Sequence, residues 1–167
     1  MLFEESLHYP HTNSGDLGRL SAVLISEREE GLPVSREERI TLCEQIIQNP
    51  SSSLPGWKAT ACLKAADISE GAQRKAYLEK ALVFLSQHWE PGLYCLKHPI
   101  WVEQDRVARV ILALELAEAC YKSGFKNEAL RALKVARMGE RNLGYRQLVR
   151  LGVMETLVGK MPTQKPI

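Results

Sequence analysis

The sequence predicts an all-α protein of about seven helices. Apolar residues recur with the helical period of 3.6 along most of the chain, while the strict alternation of a half-buried strand never lasts beyond a few residues. The breaks between periodic segments are short clusters of Pro, Gly, Ser and Asn, and such short turns favour antiparallel helical neighbours.

Residues 1–13 hold two histidines, a proline and an asparagine and are expected to form an irregular arm. Ser14 or Asp16 can cap a first helix to about Glu30, with Leu17, Leu20, Val23 and Leu24 on one face; Gly31 stops it. Ser35 and Glu38 form a capping box that opens a second helix. Its stripe is Ile40, Cys43, Ile46 and Ile47, and it ends at Asn49-Pro50. The stretch 49–56, NPSSSLPG, is a linker, followed by a short helix from Gly56 to Asp67. Ser69 is expected to cap the next helix, to about His88, with Ala72, Ala76, Ala81, Leu82 and Leu85 facing inward. Glu90-Pro91-Gly92 is a turn, and Pro99 suits the first turn of a long helix to about Ser123. Gly124 separates it from a helix ending near Met138. A last helix is predicted from about Arg141 to Val158, with a frayed tail over 161–167.

At 167 residues, with 45% apolar and 25% charged side chains, the chain can bury a sizeable core without metals or disulfides. Even the longest apolar runs, such as Val110 to Leu114, are far too short for a bilayer. The acidic opening MLFEESLHYPHTN lacks a basic stretch followed by an apolar one, so the expectation is a cytoplasmic protein. Cys43, Cys62, Cys95 and Cys120 show no paired CxxC spacing and read as reduced thiols.

Charge is distributed unevenly. Residues 1–50 carry nine acidic and four basic side chains, whereas 121–167 carry three acidic and ten basic. The two ends can pair with each other, or the basic end can face an acidic partner. Arg131, Lys134, Arg137 and Arg141 make a basic face if the sixth helix continues to Arg141, and Arg146 and Arg150 share a face of the seventh. Such a stripe supports an alternative reading as a basic, nucleic-acid-associated helical protein, although the chain carries no recognised DNA- or RNA-binding motif.

No catalytic centre is legible. His88, Cys95 and His98 offer partial zinc-like spacing, but Pro91-Gly92 and Pro99 already account for that segment as a loop; His8 and His11 lie in the arm. The glycines are scattered singly at helix ends rather than gathered into a phosphate loop, and Glu37-Glu38 complements a helix N-terminus. Trp89, Tyr94 and Trp101 surround the Pro91–Pro99 loop, where covering a helix end is their ordinary role. The expectation is a protein that is not an enzyme and has neither cofactor nor metal.

The stretch 110–142, VILALELAEACYKSGFKNEALRALKVARMGERN, resembles a tetratricopeptide repeat. Ala117 would meet Ala129 and Ala136 at the helix crossing, Gly124 forms the turn, Tyr121 closes the first helix, and Leu116 and Leu133 fill the core. It departs from the family pattern at Ala113, where a large aromatic is usual, and at Arg141-Asn142, where a proline is usual. Residues 57–89 make a looser copy, with Trp57 and Ala81 in register and Arg74 out of it. The resemblance implies antiparallel hairpins stacked as a tetratricopeptide-like array over 56–160 with the last helix as its cap, behind an N-terminal helical pair over 14–49, in one domain spanning 14–160. It also implies a concave groove, lined here by Ile111, Leu114, Glu115, Glu118 and Tyr121, that holds a helix or extended segment of another protein. The role it implies is that of an adaptor, assembly factor or small chaperone, secretion-system subunits being among the clients such proteins serve.

Overall fold

The computed structural model describes residues 34–49, 55–87 and 99–163, together with Arg19 and Val23. The arm over 1–13, most of the first predicted helix, the linker core at 50–54 and the turn at 90–92 lie outside the described residues. The chain is all-helical, with no strand among the described residues. The helices whose bounds are described are α1 (Arg36–Gln48), α2 (Pro55–Asp67), α3 (Gly71–Ser86), α4 (Pro99–Lys122), α5 (Lys126–Met138) and α6 (Tyr145–Gly159). A 3-10 turn, Glu140–Asn142, separates α5 from α6. The contacts group into two compact units, Met1–Ala81 and Leu82–Ile167.

In the first unit α1 begins where the sequence says it should. The Ser35 hydroxyl accepts from the Glu38 amide at 3.2 Å, and the Glu38 carboxylate accepts from the Ser35 amide at 2.8 Å, so two otherwise orphaned donors are satisfied. Asn49 ends the helix in an extended conformation, as the following Pro50 requires. Cys43, Ile46 and Ile47 are buried; each isoleucine stabilises the fold by about 1.5–3 kcal/mol. They pack on α2, whose Ala59, Ala61, Ala65 and Ala66 are fully buried and keep the two backbones close. α2 starts at Pro55, one residue before the predicted start, because a proline at the first helical position loses no hydrogen bond. Its main packing partner is α1 rather than α3, so the looser repeat copy at 57–89 does not form the hairpin expected of it.

Two further expectations fail here. The Ser69 hydroxyl donates back to the Ala65 carbonyl at 2.7 Å and closes α2 instead of opening α3. In α3, Ala72 and Ala76 are exposed, while Tyr77 and Leu78 join Ala81, Leu82 and Leu85 inside. Tyr77 then reaches α1, donating its hydroxyl to the Glu44 carboxylate at 2.5 Å. Burial, and next the bond to Glu44, push its hydroxyl up to about 12. Burial likewise pushes the Cys62 thiol up to about 12.

In the second unit α4 and α5 form the tightest pair. α4 ends in a Schellman motif: the Phe125 amide donates to the Cys120 carbonyl at 2.9 Å and the Gly124 amide to Tyr121 at 3.1 Å. This geometry needs a left-handed residue, and Gly124 supplies it at φ 79°. The chain reverses there, and Gly139 at the far end of α5 comes back against Val110. The pair is therefore antiparallel. Val110, Ala113, Leu114, Ala117 and Cys120 of α4 face Ala129, Ala132, Leu133 and Ala136 of α5, all buried. α6 packs on both, burying Leu151, Met154 and Val158. It starts at Tyr145 rather than near Arg141, because residues 140–142 are spent in the 3-10 turn.

A Cβ at Gly139 would stand 2.1 Å from Cγ2 of Val110, a β-branched side chain that cannot swing away. Gly139→Ala is expected to destabilise by about 1–3 kcal/mol in urea unfolding. Val110→Ala should remove most of that penalty in a double-mutant cycle; additive costs would mean the approach is not steric. In the first unit, Tyr77→Phe is expected to cost about 1–2 kcal/mol at neutral pH. A raised hydroxyl pKa contributes stability below its ordinary 10.0 that is lost as pH climbs towards 12. The melting-temperature gap between wild type and Tyr77→Phe should therefore close between those values.

Candidate protein-interaction site

The groove predicted on α4 is largely closed by its own neighbours. Leu114 has no exposed surface and belongs to the core, contrary to its predicted place in a groove. The Glu118 carboxylate accepts from Nε of Arg150 on α6 at 2.5 Å, so α6 lies over this face. That hydrogen bond holds the Glu118 carboxyl below its usual range and the Arg150 guanidinium above its own. Ile111 and Tyr121 are half-buried, and Glu115 alone of the five is exposed.

The basic face is divided in a similar way. Arg137 donates to Glu140 at 2.8 Å and to both carboxylate oxygens of Glu155 on α6, and these bonds raise its pKa. Arg141 sits on the 3-10 turn, so it does not continue the α5 stripe. Arg131 and Lys134 remain exposed on α5 beside a groove of about 600 Å³ that also touches Val110, Val135 and Met138. Arg109, on the α4 side of that groove, donates through Nε and Nη2 to the Leu85 carbonyl at 2.9 and 2.6 Å and caps the end of α3. Burial lowers its pKa.

An apolar surface on α6 was not anticipated from the sequence. On α6, Tyr145, Leu148, Val149, Val153 and Leu157 are all exposed, Tyr145 at 82% and Val153 at 52%. At 3.6 residues per turn, Val149, Gly152, Val153 and Thr156 fall within about 100° of arc, opposite the buried Leu151, Met154 and Val158. With Leu157 they line a shallow depression of about 400 Å³. The expectation of a solvating cap is not met, because a cap needs a polar outer face. The signal was present in YRQLVRLGVMETLVG, where apolar residues occupy both sides of the helical wheel.

No group of three or more His, Cys, Asp or Glu side chains converges among the described residues, and His88, Cys95 and His98 lie outside them. No described helix is long and apolar enough to cross a membrane.

Because Glu118 is held below its ordinary value of 4.5, it contributes stability above that pH which fades as pH falls through its lowered value. Glu118→Gln is expected to cost about 0.5–1.5 kcal/mol at pH 7, modest because the pair is partly solvated. The difference from wild type in urea midpoints should shrink below pH 4; a constant difference would show that the charge is not what counts. No protein-family model matches the sequence, and comparison with curated proteins and with solved structures yields no significant match, so the likeness to tetratricopeptide repeats rests on residues 110–142 alone.

Proposed function

We propose that this chain is a non-catalytic protein-interaction module, an adaptor, assembly factor or small chaperone, and that it docks a helical segment of a partner on the outer face of α6. One observation carries the reading: Tyr145, Val149 and Val153 stand exposed on the side of α6 opposite its core-facing stripe, with the less exposed Leu148 and Leu157 at its margins. A lone surface leucine has no such meaning, but a contiguous row on one helix face is what an amphipathic partner covers. Gly152, at the middle of the row, leaves room for close approach, since nothing lies within 4 Å of a Cβ placed there.

The tetratricopeptide-like reading is consistent with this surface. The burial of Ala113 and Ala117 on α4 and of Ala129, Ala132 and Ala136 on α5 supports that reading, in which α6 would be an element on which a further helix can stack. Of the α4 face first expected to bind, Leu114 is buried in the core and Glu118 is bonded to Arg150 of α6.

The test is affinity purification of the tagged chain from its own cells, comparing wild type with Val149→Asp/Val153→Asp. Both positions are about half exposed, so the variant should melt within about 0.5 kcal/mol of wild type. A partner recovered stoichiometrically by wild type in low and high salt should be lost from the variant. Equal recovery by the variant overturns the proposal, and so does loss of helicity, which would make the face part of the core.

A further inference from the structure

A second surface is distinct from the α6 face in both place and chemistry. The groove between α4 and α5 has an apolar floor of Val110 and Val135, with Met138 exposed at its edge by 80%. On α5, Arg131, Lys134, Val135 and Met138 share about 100° of arc at 3.6 residues per turn. Arg131 and Lys134 are exposed, and neither makes a hydrogen bond or ion pair among the described residues. Gly139 belongs to the same groove, whose two walls approach closely because it has no side chain. Lys134 and Met138 also line a neighbouring depression with Leu130, Leu133 and the paired Arg137 and Glu155, so the apolar character continues along α5.

We propose that this groove binds an acidic amphipathic segment of a partner protein, with apolar side chains on Val110, Val135 and Met138 and carboxylates on Arg131 and Lys134. Charge complementarity selects the sign of the ligand, and the apolar floor selects a side-chain-bearing segment over a simple anion. Methionine at the rim suits the task, since its flexible thioether adapts to differently shaped partners.

Nucleic acid fits this surface less well. Tracking a phosphate backbone takes a row of available cations, usually with stacking aromatics. Here Arg137 is bound to Glu140 and Glu155, Arg150 to Glu118, and Arg109 to the Leu85 carbonyl, and no aromatic lines the groove.

Fluorescence anisotropy on the full chain tests this with three labelled probes. The first is a peptide of about 16 residues with leucines at i, i+3, i+4 and i+7 and glutamates on the flanks. The second replaces its leucines by serine, and the third is a single-stranded RNA of comparable length. The expected result is binding of the leucine–glutamate peptide that weakens at least about tenfold in Arg131→Glu/Lys134→Glu, and again in Met138→Ser. Val149→Asp/Val153→Asp should bind that peptide as wild type does, which separates this groove from the α6 face. Absence of peptide binding, equal binding of the serine peptide, tighter binding of the RNA, or no effect of the α5 substitutions would each overturn the proposal. Thermal melts of the variants, altered only at exposed positions, check that any loss of binding is local.

Discussion

The approach of α4 to α5 along a seam of alanines is the contact on which the second unit is built. Ala113 and Ala117 face Ala129, Ala132 and Ala136, and the missing side chain of Gly139 lets the far end of the pair close against Val110. Close packing of this kind gains dispersion contacts but offers few large side chains whose burial would stabilise the unit by themselves. The hairpin therefore depends on accuracy more than on volume. Its turn is fixed by the Gly124 Schellman motif, and its flank is held by Glu118–Arg150 and Arg137–Glu155 from α6. The same seam places Arg131, Lys134, Val135 and Met138 along an open edge. Both proposed surfaces thus follow from how this hairpin is packed.

Much of this fold was legible where chemistry is local. The Ser35–Glu38 box, the proline start of α4 and the Gly124 turn each depend on a few neighbouring residues, and their helices begin or end within a residue or two of expectation, whereas Pro55, read as linker, opens α2. Misreadings came where the sequence lacks direction. In α3, Ala72 and Ala76 look inward by period alone, yet alanine loses little on either side; Tyr77 and Leu78, which lose far more when exposed, decide the rotation. Ser69 lies between the carbonyl end of α2 and the amide end of α3, and its hydroxyl donates to the helix behind it instead of accepting from the one ahead.

The candidate sites were less legible, because they depend on partners distant in sequence. Arg137 reads as a surface cation until Glu155, eighteen residues on, is brought against it. Leu114 reads equally as groove or core until the helices pack and leave it no exposed surface. The outer face of α6 was hidden for the opposite reason: a helix apolar all round suggests burial, and only the packing of Leu151, Met154 and Val158 reveals which side is left over.

Cys43, Cys62 and Cys120 are all buried. For Cys62, with its thiol pushed up to about 12, almost no thiolate exists at neutral pH, and its sulfur is shielded from reagents as well. Modification must wait for the surrounding helices to open. Cys43 and Cys62 belong to the first compact unit and Cys120 to the second. The chain thus carries its own pair of clocks for local unfolding: alkylation at each position counts the openings of the unit that contains it, and unequal rates would reveal two cooperative bodies of different stability within one polypeptide.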